Sequence, residues 1–263
     1  MKKILCFVLT IMCLFVLVGC GGTKKADGPA TKQVVAEKVL RVGTDSDYPP
    51  FGYYQEATKT FIGFDIELMQ GVAREMGYNR VEFVDLEFNN LLPSLQDGQV
   101  DAVIACMTIT DERRKVADFT EPYLVSSNVA VSAFGTETRG VDAMKDKRIA
   151  VEVGSIHAKQ AKNYSGNVIA CSNAEEALKL VLSKEADYAI MDNYTARFFI
   201  TNYFNGRLSV MAELPDDTHT NIGIAVAKGN KEMVEKLNAG LKDYQKLASY
   251  YQMKKSYFGK MDI

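Results

Sequence analysis

The stretch GFDIELMQGVAREMG, residues 63–77, carries the clearest fold information in the chain. Its apolar side chains recur three or four positions apart, the spacing that places them on one face of a helix. These side chains are Ile66, Met69, Val72, Ala73 and Met76. Gly77 follows as a stop signal, because glycine readily adopts the left-handed conformation that ends helices. The stretch therefore predicts an amphipathic helix over residues 65–76.

Short apolar strands flank this helix, and the same alternation then begins again. In the first half, strands are expected over 39–44, 81–84, 100–105 and 129–134, with a short helix over 89–96. In the second half, strands over 148–153, 168–170 and 187–191 alternate with helices over 155–163 and 174–182. A late strand over 222–226 and a long closing helix over 232–251 complete the pattern. The alternation predicts two α/β units, each with a mainly parallel sheet. Two such units side by side leave one ligand crevice at the carboxyl ends of their strands.

The N-terminus has the composition of a secretory signal. Lys2 and Lys3 precede an uncharged run over residues 4–18. That run is shorter than the roughly 20 apolar residues that a membrane-spanning helix needs. A basic start, a short apolar run and small residues before a cut predict a signal peptide over residues 1–19. A true membrane span is the alternative.

The segment Leu17-Val18-Gly19-Cys20 resembles a bacterial lipobox. This resemblance implies that Cys20 becomes the lipidated N-terminus, carrying palmitate, of a protein held on the extracytoplasmic face of the cell membrane. Residues 20–37 are rich in Gly, Lys, Thr and Ala, which predicts a flexible tether between membrane and folded body. A plain signal peptide without a lipid is the alternative to this interpretation.

Composition excludes several function classes. The 263 residues carry 31 basic and 33 acidic side chains, and a net charge of −2 argues against a nucleic-acid binder. Five cysteines are too few, and odd in number, for a disulfide scaffold, and no bond between Cys106 and Cys171 is expected. With two histidines, His157 and His219, no metal site is expected.

Four motifs in order define a family resemblance. They are GTDSDYPPF at 43–51, GFDIEL at 63–68, DAVIACMTITDERR at 101–114 and DFTEPY at 118–123. Over nearly all of residues 38–260 the chain resembles the family 3 extracellular solute-binding proteins, the polar amino-acid receptors of ABC importers. The resemblance implies a type II periplasmic-binding-protein-like fold. Its lobes would comprise residues 38–125 with 221–263 and residues 126–220, joined by two hinge strands near 123–128 and 218–222.

The resemblance also implies how such a protein works. A free L-amino acid binds between the lobes, the hinge closes, and the closed form is delivered to an ABC permease. No cofactor and no catalysis are implied, and the expected state is a monomer.

Candidate residues that bind the carboxylate of the amino acid come from both lobes. By motif position Arg113 is the carboxylate receptor, and its planar fork can donate two parallel hydrogen bonds. Thr108 can add a hydroxyl. In the second lobe, Ser155 and Ile156 stand between a strand and a helix, where backbone N–H groups favour an anion. The plainer alternatives are a surface arginine and an ordinary serine N-cap.

The α-ammonium group needs an acidic partner. Asp192 ends a strand in the second lobe and resembles the family position that pairs with this group, although it can also cap the next helix. A carbonyl near Cys106 would assist. Cys106 stands where the family often has Gly or Ser, and Met191 stands where a polar residue is common, so both affect side-chain specificity.

Three residues of the first lobe are expected to hold the ligand's side chain. The aromatic faces of Tyr48 and Phe88 can cover an apolar stem and attract a cationic head, although core packing is the alternative for both. Asp45 can pair with that head or with an amide. The acidic, aromatic loop favours a basic or amide ligand, leaving arginine, lysine, ornithine, histidine and glutamine open. Whether His157 contacts the ligand is also open.

Two other function classes compete with a binding protein. Some cyclohexadienyl dehydratases resemble this family, so an enzyme on the same fold is an alternative. However, the sequence has no H-E-x-x-H, P-loop or G-x-G-x-x-G motif. A ligand-sensing receptor domain is the other alternative, and it would need a second hydrophobic span after residue 250.

Overall fold

The computed structural model describes residues 37–137, 140–215 and 220–259. The predicted signal peptide, the lipidation site at Cys20, most of the tether and His219 lie outside these residues. Up to the first crossing between the lobes, the strands are β1 (Val39–Thr44), β2 (Asp47–Tyr48), β3 (Gly52–Gln55), β4 (Thr60–Ile62), β5 (Arg80–Asp85), β6 (Ala102–Val103), β7 (Ala117–Phe119) and β8 (Leu124–Ser126). The helices of this part are α1 (Phe64–Glu75), α2 (Leu91–Gln96) and α3 (Asp111–Arg114).

The remaining elements build the second lobe and return to the first. The strands are β9 (Asn128–Ala133), β10 (Ile149–Glu152), β11 (Val168–Cys171), β12 (Tyr188–Asp192), β13 (Leu208–Glu213), β14 (Thr220–Ile222) and β15 (Ala225–Ala227). The helices are α4 (Ile156–Ala161), α5 (Ala174–Ser183), α6 (Asn193–Asn202), α7 (Lys231–Tyr244) and α8 (Ala248–Phe258). None of the helices in the described residues is long and apolar enough to cross a membrane.

Two five-stranded sheets form the centres of two lobes. Their strand orders are β5-β1-β6-β15-β7 and β11-β10-β12-β9-β13. In each sheet two neighbouring pairs are parallel and two are antiparallel. The predicted two-lobed α/β architecture is confirmed. The sheets are mixed and not mainly parallel as predicted, because β15 and β9 run antiparallel to their neighbours.

The chain passes between the sheets twice, through β8 and through β14. These two strands pair antiparallel, with Ser126 opposite Thr220 and Leu124 opposite Ile222. The lobe boundaries predicted after residues 125 and 220 fall in this two-stranded ribbon and stay predictions.

The predicted amphipathic helix is α1, and it lies against α7 at very short range. Gly71 makes this approach possible, because a Cβ atom built there would stand 2.3 Å from the ring of Tyr244. On α7, a Cβ at Gly240 would stand 3.0 Å from Val72. Small residues on both helices therefore let the returning segment pack tightly onto the first lobe.

The predicted closing helix over 232–251 is wrong, because it is two helices. Leu247 has an extended backbone between α7 and α8, and its side chain is exposed instead of continuing the apolar stripe. The break turns α8 so that Phe258 is buried, with its ring centroid 4.6 Å from that of Phe64 and 4.5 Å from that of Tyr194. Tertiary packing decides this boundary.

Two further elements differ from the sequence prediction. The expected strand over 222–226 is divided between β14 and β15, because Gly223 lies where the chain leaves the ribbon for the first sheet. The short antiparallel sheet β2-β3-β4 was not predicted. Its strands are two to four residues long and carry little apolar periodicity.

Candidate functional site

The carboxyl ends of two parallel strand pairs, β1 with β6 in one sheet and β10 with β12 in the other, meet between the lobes. Seven of the nine predicted binding residues line one small cavity of about 20 Å³ there. Its lining residues are Tyr48, Phe88, Ala105, Cys106, Thr108, Arg113, Glu152, Ser155, Ile156 and His157. Of the predicted residues, Asp45 and Asp192 do not line it. Asp45 borders an adjoining cleft, and the backbone N–H of Asp192 donates to the Tyr48 hydroxyl at 3.3 Å.

Arg113 extends from α3 into this space. Its Nη1 atom donates to the Thr108 carbonyl at 2.7 Å, and its Nη2 atom donates to the Gly154 carbonyl of the other lobe at 3.3 Å. The Phe88 ring centroid lies 5.1 Å from the guanidinium carbon. Burial lowers the pKa of Arg113 to about 10, so the group stays cationic at neutral pH. Among the described residues, no carboxylate forms an ion pair with it.

The start of α4 forms the opposite wall. The Ser155 hydroxyl donates to the Glu152 carbonyl at 2.7 Å and does not cap the helix, so the ordinary N-cap alternative is not what the structure has. The Ile156 side chain faces the cavity. This wall therefore presents both the first backbone N–H groups of a short helix and the apolar side chain of Ile156.

Asp192 closes β12 and is almost completely buried. Its Oδ1 atom accepts hydrogen bonds from the Tyr194 and Thr195 backbones at 2.8 and 3.4 Å, so it does cap α6. Its Oδ2 atom is buried without a well-formed hydrogen bond among the described residues. Burial raises the pKa of Asp192 to about 6, against the opposing effects of the Ser126 hydroxyl and the capping N–H groups. One acceptor atom of this carboxylate is therefore uncommitted.

Glu152 is a site residue that the sequence reasoning missed. It ends β10, is 4% exposed and lines the cavity. Its Oε1 atom is buried without a hydrogen-bond partner among the described residues. Burial raises its pKa well above the ordinary value; Asp45 and Asp47 add to this increase and Arg113 opposes it. An acid at the carboxyl end of a predicted parallel strand, two residues before Gly154, was the available signal.

His157 is buried, which decides against the exposed position that the sequence left open. Its Nε2 atom lies 3.1 Å from Oδ1 of Asn128, whose Nδ2 atom donates to Gln160 at 3.0 Å. Burial, with a smaller effect of Arg113, lowers the pKa of His157 to about 3, so the ring is neutral. Its Nδ1 atom has no partner among the described residues.

Cys106 occupies a backbone conformation that few side chains adopt, with a φ of 46°. The Asp65 carboxylate holds it there, since Oδ2 accepts from the Cys106 N–H at 2.7 Å. Oδ1 of Asp65 accepts from the Tyr123 hydroxyl at 2.8 Å. Burial raises the pKa of Asp65 to about 7. Asp65 of the GFDIEL motif thus fixes the loop after β6. Cys106 and Cys171 are both buried free thiols.

Polar contacts join the two lobes around the cavity. Lys159 pairs with Glu112 at 3.1 Å, and Asn173 donates to Asp47 at 3.2 Å. These contacts hold the lobes in a closed arrangement. A larger cleft of about 720 Å³ remains beside Thr108 and Arg113. No group of three or more metal-ligating side chains comes together in the described part of the chain.

Residues 40–260 match the model of the bacterial extracellular solute-binding proteins, family 3. The chain belongs to this family. Membership confirms the resemblance inferred from the four motifs and places the chain among extracellular solute-binding proteins.

Individual relatives agree in sequence and in fold. The chain is 28% identical to the arginine-binding extracellular protein ArtP of Bacillus subtilis, over 98% of each chain. An ancestral arginine-binding protein bound to arginine has a TM-score of 0.78 and 33% identity, over 84% of this chain and 98% of its own. An ancestral amino-acid-binding protein, a precursor of cyclohexadienyl dehydratase, has a TM-score of 0.75 and 30% identity, over 84% and 95%. These matches confirm the predicted type II fold.

Proposed function

We propose that this family member is the amino-acid receptor of an ABC importer and binds a free L-amino acid with a basic or amide side chain. The observation that carries the proposal is a pair of uncommitted charges. Among the described residues, the guanidinium of Arg113 forms no ion pair with a carboxylate, and Oδ2 of Asp192 has no well-formed hydrogen bond. An α-amino acid presents the matching carboxylate and ammonium on one carbon atom.

Each predicted residue has a role in this account. Arg113 binds the α-carboxylate, with Thr108 and the backbone N–H groups of Ser155 and Ile156 as further donors. Asp192 binds the α-ammonium group, assisted by a carbonyl near Cys106. Tyr48 and Phe88 cover the stem of the side chain, and Asp45 supports its polar end. Burial raises the pKa of Asp45 to about 6, so a nearby positive charge would stabilise its ionised form.

Ligand entry requires the lobes to separate. A space of about 20 Å³ is near the size that holds one water molecule, so an amino acid does not fit in this inner cavity while the lobes are closed. The paired strands β8 and β14 are the hinge in this proposal. The ligand favours closure because it contacts both lobes at once.

The protein works by binding without chemical change and acts as a monomer. It is held on the extracytoplasmic face of the membrane through lipid on Cys20. Replacing Cys20 with Ser should abolish incorporation of radiolabelled palmitate and release the protein from the membrane fraction. Retained label would contradict the anchoring.

A thermal-shift screen of the purified protein against the protein amino acids, ornithine and citrulline tests the function. A ligand at a concentration of 100 times its dissociation constant adds about 2.7 kcal/mol of stability, which raises the melting temperature. A basic or amide amino acid should give the largest shift, and the recovered ligand should be chemically unchanged. No shift with any compound would overturn the proposal, and release of an altered product would favour the dehydratase alternative.

A further inference from the structure

We propose that Glu152 determines the specificity of the site by binding the cationic end of the ligand's side chain, with Nδ1 of His157 as a second acceptor. This inference rests on the proposed function, because it names the side-chain class of the amino acid that Arg113 and Asp192 hold. The ligand that this inference predicts is an amino acid with a cationic side chain. Amino acids with an amide side chain, which the sequence left open, are excluded.

Glu152 is built into the cavity wall, and one of its two carboxylate oxygens has no hydrogen-bond partner in the part of the chain that the structure describes. It is 4% exposed and lines the cavity, and its Oε1 atom accepts no hydrogen bond from the described residues. A buried polar atom without a partner costs about 1–3 kcal/mol, and a charged one costs more. Asp65, which is also fully buried, shows what a structural acid has here, since it accepts two short hydrogen bonds. The cost at Glu152 is explained if a ligand supplies the missing donor.

His157 offers a second acceptor of defined orientation. Because Nδ2 of Asn128 donates to Gln160, its Oδ1 atom faces His157 and can only accept. Nε2 of His157 must then carry the ring proton, which leaves Nδ1 as an acceptor. Nδ1 is buried, has no partner among the described residues and belongs to a residue that lines the same cavity. Two unpartnered acceptors on one wall call for a group with several N–H donors.

The surrounding charges select a cation over a neutral donor. Asp45 and Asp47 act on Glu152 with the same sign of charge, and Arg113 is the cation that opposes them. Arg113 is already assigned to the α-carboxylate, and Asp192 is assigned to the α-ammonium group. The remaining negative potential on this wall is therefore available to a second positive charge. A guanidinium or an ammonium group meets that requirement, whereas an amide brings donors without charge.

Binding a cation at Glu152 should release a proton. In the ligand-free protein, burial favours the neutral carboxyl group, and Asp45, Asp47 and Arg113 are the charged groups that act on it. The other titratable neighbours are Tyr48, Cys106, His157 and Cys171. A bound cation stabilises the carboxylate, so the proton leaves to solvent. Affinity for a cationic ligand should accordingly fall as the solution is acidified.

Calorimetric titration of Glu152→Gln with L-arginine and with citrulline tests the inference. Citrulline has the length of arginine but a neutral urea group. Loss of a charge-assisted hydrogen bond is worth about 1.5–3 kcal/mol, or about 10- to 100-fold in the dissociation constant. The affinity for arginine should therefore fall by that factor in Glu152→Gln. The affinity for citrulline should change by less than about threefold, which is worth under 1 kcal/mol. Glu213→Gln, an exposed acid on β13 of the same lobe, should leave both affinities unchanged.

The outcomes separate the inference from the function it rests on. If the wild-type protein binds neither basic nor neutral amino acids, the proposed function fails. If it binds arginine but Glu152→Gln keeps the wild-type preference over citrulline, the Glu152 assignment is overturned. Should Glu152→Gln not fold, Glu152→Leu provides an apolar replacement of similar size that needs no partner. The pH dependence of arginine affinity is a further readout: affinity should fall on acidification more steeply in the wild-type protein than in Glu152→Gln, and an identical pH dependence in the two proteins counts against the assignment.

Discussion

Arg113 is the residue on which the proposed site depends most. It is the cavity's cation, and its donors already reach carbonyls of both lobes. Arg113→Ala should weaken amino-acid binding by at least about 100-fold, the value of a buried charge-assisted pair, with the far-ultraviolet circular dichroism unchanged. Arg113→Lys keeps the charge without the fork and should lose about tenfold. Unchanged affinity in Arg113→Ala would remove the carboxylate assignment.

Asp192 should show opposite effects on binding and on stability. Asp192→Asn keeps a good N-cap for α6 but removes the charge that the ligand's ammonium group needs. We expect binding to weaken by at least about tenfold, or about 1.4 kcal/mol.

The stability effect of Asp192→Asn follows from the direction of the pKa shift. Burial raises the folded-state pKa to about 6, so the native state binds more protons than the unfolded state in the window between the ordinary value and 6. The cost of the buried charge is absent below that window and complete above it. Ligand-free Asp192→Asn should therefore be more stable than wild type by about 1–3 kcal/mol at pH 7.5 and equal to it near pH 3.5. A urea titration at both pH values measures this, and a loss of stability at pH 7.5 would contradict it.

At the scale of elements, the packing of α1 on α7 holds the returning segment to the first lobe. Gly71→Ala would place a methyl group within 2.3 Å of the Tyr244 ring, and overpacking of this kind costs about 1–3 kcal/mol. Gly166→Ala is the matched control, because its Cβ would meet nothing within 4 Å. Thermal unfolding should show a clear drop in melting temperature for Gly71→Ala only. Equal melting temperatures for both variants would mean that the helices separate without cost.

Element prediction succeeded where one local pattern was sufficient. The period of α1 is visible in the sequence, and the positions of Arg113 and Asp192 in the family motifs led to their assignment. Glu152 was missed because it stands inside the run IAVEVG, where the apolar neighbours dominate the pattern and its burial comes from the opposite lobe. The break at Leu247 was missed because the apolar spacing continues across it. Its cause is the packing of Phe258 between Phe64 and Tyr194, which no local window contains.

At the scale of the whole molecule, two lobes are connected by one two-stranded ribbon, so the distance between the lobes can differ between the ligand-free and ligand-bound protein. The closed arrangement is held across the cleft by polar contacts, of which the Lys159–Glu112 pair is highly exposed. Exposed pairs contribute about 0–1 kcal/mol, so ligand contacts have to supply most of the preference for closure. The two-lobed arrangement was predicted from the repeated alternation of strands and helices. The size of the cavity depends on how the lobes meet, which sequence patterns do not encode.

The central claim is that the lobes close on the α-carboxylate and α-ammonium groups of a free amino acid. Isothermal titration of the purified protein with L-arginine and with agmatine, its decarboxylated counterpart, tests it directly. Agmatine retains the guanidinium but offers nothing to Arg113. We predict that agmatine binds at least about 100-fold more weakly than arginine, a difference of about 2.7 kcal/mol. Equal affinities for the two compounds would contradict the account.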